Sequence, residues 1–125
     1  MIRKATLKDI ATIYPMLLSE HQTVKVRSIN DLRKNIKNFL VYEKEKKVIG
    51  CIAFENYSSR IAEIRSLVVR PSERNNQVAT KLLKQALKRV KKGQQVFVVT
   101  SIPKFFLKKN FVFEREERYA LFYAG

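Results

Sequence analysis

At 125 residues with 46% apolar side chains, the chain is long enough for one domain with its own core, and three glycines and three prolines argue against a disordered or linker-rich polymer. No window approaches the roughly 18 to 20 apolar residues of a membrane span. The formal charge of +15 attracts polyanions, yet the basic residues are scattered, and no zinc-finger spacing or aromatic-basic interleaving marks a nucleic-acid partner. The one cysteine, Cys51, excludes an internal disulfide and suits a reducing, cytoplasmic compartment. It lies in an apolar run and reads as a small buried residue. The opening residues, Met1 to Thr6, read as a strand and not as a signal peptide.

In chain order, residues 2–6 predict a short strand. Thr6 caps a helix with Asp9 three residues on, and Ile10, Ile13, Met16 and Leu17 give it one apolar stripe. Residues 19–27 read as a polar loop that holds His21, the only histidine, as a polar loop residue. Ser28 caps a second short helix with Leu32, Ile36 and Phe39 inward. Strands at 40–43 and 48–56 pair as a hairpin across a charged turn at 44–47. A polar turn near Ser58 leads to a strand at 62–69. A helix follows from Val78 to about Lys92 and is ended by Gly93, with basic residues closing its last turn. A buried strand at 95–100, a short helix after Pro103, and strands at 111–114 and 119–123 complete the chain. There is no repeat and no domain boundary, so residues 1–125 are expected to form a single domain. The order β-α-α-β-β-β-α-β-α-β-β predicts an α/β (α+β) domain with a mixed, mostly antiparallel sheet and helices on both faces.

The segment from Ile64 to Leu83 is the most informative. An apolar strand runs into a polar loop, and the loop ends at a helix whose first turn has no acidic residue. Unpaired N–H groups and the helix dipole favour a phosphate or pyrophosphate there. An ordinary strand-to-helix connection has the same local signal, so both readings stay open at this level.

The order of elements and this loop resemble the GNAT (Gcn5-related N-acetyltransferase) superfamily over nearly the whole chain. The family signature is Gln or Arg, two variable residues, Gly, one variable residue, then Gly or Ala. Arg74 and Ala79 match it, as do Val69 and Pro71 just before it, while Gln77 stands at the usual glycine. Leu82, Leu83 and the segment from Phe105 to Phe111 also fall where the family has them, with Asn110 in place of a glycine. A closer resemblance is to the acetyltransferase domain of the N-acetylglutamate synthases. Arg27-Ser28 with Leu32, Ile49-Gly50-Cys51 with Ala53, and Phe97-Val98-Val99-Thr100 carry it.

The resemblance implies a GNAT fold and acetyl-CoA as cosubstrate, with no metal. Leu67, Val68 and Val69 would face the pantetheine, with the backbone of Leu67 and Val69 pairing with its amides. Arg74, Asn75, Asn76, Gln77, Val78, Ala79 and Thr80 would face the pyrophosphate. Glycine allows the closest backbone approach to phosphate, so Gln77 implies weaker binding and not its loss. Asn75 and Asn76 tolerate left-handed backbone. Glu63 matches the general base that takes a proton from the acceptor amine; the alternative is a strand carboxylate paired with Arg60 or Arg65. The family's proton-donating tyrosine is replaced by Phe106, which is expected beside the cosubstrate. Arg27 is the candidate for the acceptor's carboxylate because its fork matches that group, and Lys25 would hold a second one if the acceptor is dicarboxylic; the alternative for both is a solvated loop cation.

Three readings follow. The first is an N-acetyltransferase of a small amino acid, glutamate in first place, with a role in arginine biosynthesis. The second is an acetyltransferase of a protein or peptide amine. The third is a GNAT-fold binding module without turnover, which Gln77, Asn110 and Phe106 favour and Glu63, Arg74 and Arg27 oppose. No membrane or nucleic-acid partner is expected. Homodimers are common in this fold, and no sequence feature fixes their surface.

Overall fold

The computed structural model describes residues 1–20, 24, 26–74, 76–100, 102–115 and 120–124, with the backbone alone at 113–115 and 120. The strands are β1 (Ile2–Lys4), β2 (Phe39–Lys44), β3 (Lys47–Asn56), β4 (Ile61–Val69), β5 (Gln95–Val99), β6 (Phe111–Arg115) and β7 (Ala120–Tyr123). The helices are α1 (Ile10–Ser19), α2 (Ile29–Asn35), α3 (Val78–Leu87) and α4 (Pro103–Leu107), with 3-10 turns at Leu7–Asp9, Ile36–Asn38 and Pro71–Glu73. One seven-stranded sheet runs β1-β2-β3-β4-β5-β7-β6. Among the described residues only the β4–β5 pair is parallel. The expected mixed sheet with helices on both faces is therefore present.

Local chemistry accounts for the first half. The Asp9 carboxylate accepts the Thr6 backbone N–H at 2.7 Å, closing the expected capping box. Arg3 donates to both Asp9 oxygens at 2.8 and 2.9 Å, which ties α1 to β1 and holds the Asp9 carboxyl below its usual range. Ser28 accepts the Asp31 N–H at 3.0 Å and starts α2 as expected. The β2–β3 hairpin turns through Glu45 and Lys46, both with positive φ (51° and 65°), as a two-residue turn matched to strand twist requires.

Two cores sandwich the sheet. Beneath α1 and α2 lie Ile13, Leu17, Leu32, Phe39, Val41, Cys51 and Val68. Beneath α3 and α4 lie Ile52, Ile64, Val78, Leu82, Leu83 and Phe111. α3 approaches the sheet closely at Gly50, where a Cβ would meet Leu82 Cδ1 at 3.1 Å and Val78 Cγ1 at 3.2 Å. That approach brings the N-terminus of α3 to the end of β4. The helix ends at Leu87 and not near Lys92. Beyond it the N–H groups of Arg89 and Val90 bond three residues back, to Ala86 and Leu87, so the basic run occupies tight turns. Gly93, with φ of 80°, serves the following loop. No helix among the described residues is long and apolar enough to cross a membrane.

Candidate active site where β4 and β5 part

β4 and β5 are paired only at Ile61 with Gln95, Ala62 with Val96 and Glu63 with Phe97. β4 then continues to Val69 with no strand neighbour on that side among the described residues. The parting coincides with a bulge. The β3–β4 register slips by one residue between Cys51 and Ala53, opposite Ser66, whose φ is 56°. A bulge bends its strand and reverses which face each later side chain takes. Ala62 and Ile64 thus point to the α3 core, as do Leu67 and Val69 after the bulge. The Cys51 thiol donates to the Ser66 carbonyl at 3.3 Å. Burial pushes that thiol's pKa up to about 12, so it is no nucleophile.

Two adjoining cavities occupy the gap. The first, about 360 Å³, is lined on β4 by Glu63, Ile64, Arg65, Ser66 and Leu67 and opposite by Val98, Val99, Ile102 and Phe106. The second, about 470 Å³, is lined by Leu67, Val68, Val69, Arg74, Gln77, Ala79, Thr80 and Phe105, with Glu20 across from them. Leu67 and Ile102 line both.

The second cavity gathers most of the residues expected around the pyrophosphate. α3 is ten residues long and has no acidic residue in its first turn, so its leading N–H groups face the loop unpaired and its dipole favours an anion. Gln77 adopts the left-handed conformation, φ 62°. The turn thus keeps the backbone of a glycine while carrying a side chain, at a cost of about 1 kcal/mol. Asn110 does the same with φ 67°. Arg74 donates through Nε to the Val69 carbonyl at 3.2 Å and pairs at its other end with Glu20. Asn76 bonds Glu73 at 3.1 Å. Val78 is buried in the α3 core, so only its backbone is available to the cleft. Asn75 lies outside the described residues, as do Lys25 and His21.

Glu63 stands at the last paired position of β4, half-buried, in the wall of the first cavity. Its partner is neither Arg60 nor Arg65. The Tyr57 hydroxyl donates to it at 2.5 Å, and partial desolvation together with that bond raises the Tyr57 pKa to about 12, although the residue is 54% exposed. Tyr57 stacks on Phe97, with ring centroids 6.4 Å apart. Phe106 is 3% exposed and packs edge-on against Phe105 and Phe111, so it is both core and cavity wall.

Arg27 is placed differently. It is 3% exposed and lines neither cavity. Its Nε donates to Asp31 at 2.5 Å, its Nη1 lies 2.5 Å from Glu55 Oε1, and its guanidinium sits 5.1 Å from the Phe39 ring centre. The Glu55 contact is an ion pair out of hydrogen-bond alignment. Burial works against the Arg27 charge, and the two carboxylates outweigh it and raise its pKa. Glu55 is directly opposite Glu63 across the β3–β4 ladder, and Asn38 holds its other oxygen at 2.7 Å. Arg27 thus neutralises the carboxylate beside the candidate base.

Sequence reasoning missed Tyr57, Glu20 and Ile102 as parts of the site and gave Arg65 no role in the cavity. The alternation along β4 puts Arg65 on the face of Glu63, a signal present in the sequence. Tyr57 and Glu20 come from loops and carry no such signal. Among the described residues, no three His, Cys, Asp or Glu side chains gather as a metal site.

Comparison with known proteins agrees with this geometry. Residues 5–103 match the acetyltransferase (GNAT) family. An uncharacterised N-acetyltransferase of Chlorobaculum tepidum is 33% identical over 87 residues, 68% of this chain and 56% of that protein. An amino-acid acetyltransferase of Vibrio cholerae is 30% identical over 105 residues, 80% of this chain and 24% of that protein. The chain spans about half the length of the first and a quarter of the second. Among solved structures, N-acetylglutamate synthase from Neisseria gonorrhoeae, complexed with coenzyme A and N-acetyl-glutamate, superposes with a TM-score of 0.87 at 21% identity, over 98% of this chain and 34% of that one. With four-fifths of its length inside the matched region, the chain belongs to the acetyltransferase (GNAT) family.

Proposed function

We propose that the chain is an acetyl-CoA-dependent N-acetyltransferase that acetylates the amine of a small amino acid, glutamate in first place. One observation carries this reading. A carboxylate, Glu63, stands where β4 loses its neighbour, in a cavity that adjoins the N-terminus of a helix. A proton acceptor, a free strand edge and an anion site are therefore in line. The amino-acid acetyltransferase relative supports an amino-acid acceptor over a macromolecular one.

The residues fit the cosubstrate. The backbone edge from Ile64 to Val69 is open to add amide pairs, as an extended ligand does at a sheet edge. The α3 terminus, with the left-handed Gln77, offers N–H groups to a pyrophosphate. Arg74 reaches it by releasing Glu20. The basic side chains Lys81 and Lys84 continue along the exposed side of α3.

Acetyl-CoA supplies the acetyl group as a thioester, and the acceptor's neutral amine attacks it. Glu63 takes the proton that the amine gives up, directly or through water, a role worth about 10² to 10⁴ in rate. Tyr57 fixes the carboxylate by its 2.5 Å bond. A backbone N–H of the bulged segment, at Leu67 or Val68, meets the negative charge that develops on the carbonyl oxygen. Phe106 has no proton to give and excludes water from the cavity. The departing thiol has a pKa near that of cysteine and leaves as thiolate without help.

The test is thiol release from acetyl-CoA with each common amino acid, alongside calorimetry with acetyl-CoA alone. Release with glutamate supports the full reading. Release with other amino acids keeps the activity and moves the acceptor. Binding without release points to a peptide amine, and neither binding nor release favours a module without turnover.

A further inference from the structure

We infer that Arg65 holds the carboxylate of the acceptor and thereby selects an amino acid over other amines, an inference that rests on the amino-acid reading above. Arg65 lines the first cavity together with Glu63, two residues before it on β4. Two residues along a strand is roughly 7 Å, with both side chains on one face. An α-amino acid carries its amine and carboxylate on one carbon, so it spans the space between these two side chains, with the amine toward Glu63.

The charge arrangement leaves Arg65 free for this task. Arg3 is paired with Asp9 and Glu43, Arg27 with Asp31 and Glu55, and Arg74 with Glu20. The Arg65 side chain has no hydrogen bond or ion pair among the described residues, although it is half-buried in a cavity wall. The carboxylates near it are already engaged. Asp31 takes the Arg27 Nε at 2.5 Å, and Glu63 takes the Tyr57 hydroxyl at 2.5 Å. The Arg65 charge reaches Asp31 and Tyr57 only as a weaker through-space effect. A half-desolvated guanidinium with open donors gains most from an incoming carboxylate, which takes two parallel bonds from its fork. Arg27, sealed under the sheet by two carboxylates, has no such capacity.

The experiment is steady-state thiol release at saturating acetyl-CoA, with L-glutamate, glutamine, isoglutamine and a simple alkylamine as acceptors, for wild type, Arg65→Ala and Arg65→Lys. Melting curves accompany each protein. The expected result is a KM for the preferred amino acid raised roughly ten- to a hundredfold in Arg65→Ala with kcat little changed. The KM for the alkylamine stays the same, and Arg65→Lys recovers part of the loss. Which carboxamide also loses affinity in the wild type tells whether the α or the side-chain carboxylate is held. An unchanged KM in an active, folded Arg65→Ala overturns the inference and leaves the acetyltransferase reading standing. An equal rise for the alkylamine overturns it too, as a structural effect. A wild type that acetylates no amino acid removes the amino-acid reading itself. If Arg65→Ala does not fold, Arg65→Lys decides, because a point charge without the fork must still raise the KM.

Discussion

Two charged clusters lie on the same face of the sheet, one sealed and one open. The sealed cluster is Arg27 with Asp31, Glu55 and Asn38, held by two ion pairs and by the Asn38 bond to Glu55. The open cluster is Glu63 and Arg65 in the wall of a cavity, with the exposed Tyr57 bonded to Glu63. They adjoin, since Glu55 and Glu63 face each other across one ladder position. The difference is one of desolvation. A buried charge is stable only when paired, so the sealed cluster maintains structure. The half-buried groups of the open cluster retain bonding capacity for a substrate. Arginine suits either task, and its surroundings decide which.

The largest effect expected outside the chemistry itself comes from breaking the sealed cluster. Arg27→Ala leaves Glu55 buried without its counter-ion and should cost about 3 to 5 kcal/mol of stability. Urea unfolding measures it. Arg65→Ala should shift the same curve by less than about 0.5 kcal/mol. Equal losses would erase the distinction between the clusters. Next, Tyr57→Phe removes the bond that fixes the Glu63 carboxylate. At this partly exposed position it should lower kcat by up to about tenfold, with acetyl-CoA affinity unchanged. Gln77→Gly relieves the left-handed backbone and opens the phosphate loop. The strain is present without ligand, so its relief of about 1 kcal/mol should appear in urea unfolding, while the missing side chain lets a phosphate approach and should tighten acetyl-CoA binding in calorimetry.

The smallest effect separates the clusters by pH. Arg27 holds the Asp31 carboxyl below its usual range, first through a hydrogen bond. A group depressed in the folded state contributes stability above its unfolded pKa and loses it as pH falls through the folded value. The melting temperature should therefore fall as pH drops below about 4. Asp31→Asn should weaken that dependence, and Arg65→Ala should leave it nearly intact.

Much of this was legible in the sequence where the chemistry is local. The Thr6–Asp9 and Ser28–Asp31 caps join residues three apart, and the strands of the β2–β3–β4 meander follow from their apolar runs and turns. The phosphate loop was legible from one helix start. Its backbone at Gln77 is the one that the resemblance implied, although the residue is not glycine. What was not legible depends on distant partners. Arg27 reads as a free loop cation until Glu55, on another strand, is placed beneath it. β7 lies between β5 and β6, an order that strand periodicity does not encode. The end of α3 was overestimated because Lys88 to Lys92 favour a helix C-terminus in composition, while the chain there turns more tightly.

The most direct measurement is kcat for Glu63→Gln at saturating acetyl-CoA and the best amino-acid acceptor, with calorimetry on the same protein. The substitution keeps size and polarity and removes only the capacity to take a proton. The account predicts a fall of about 10² to 10⁴ in kcat with acetyl-CoA binding unchanged. A kcat within a few fold of wild type would contradict it, because the parting of β4 and β5 would then hold no base.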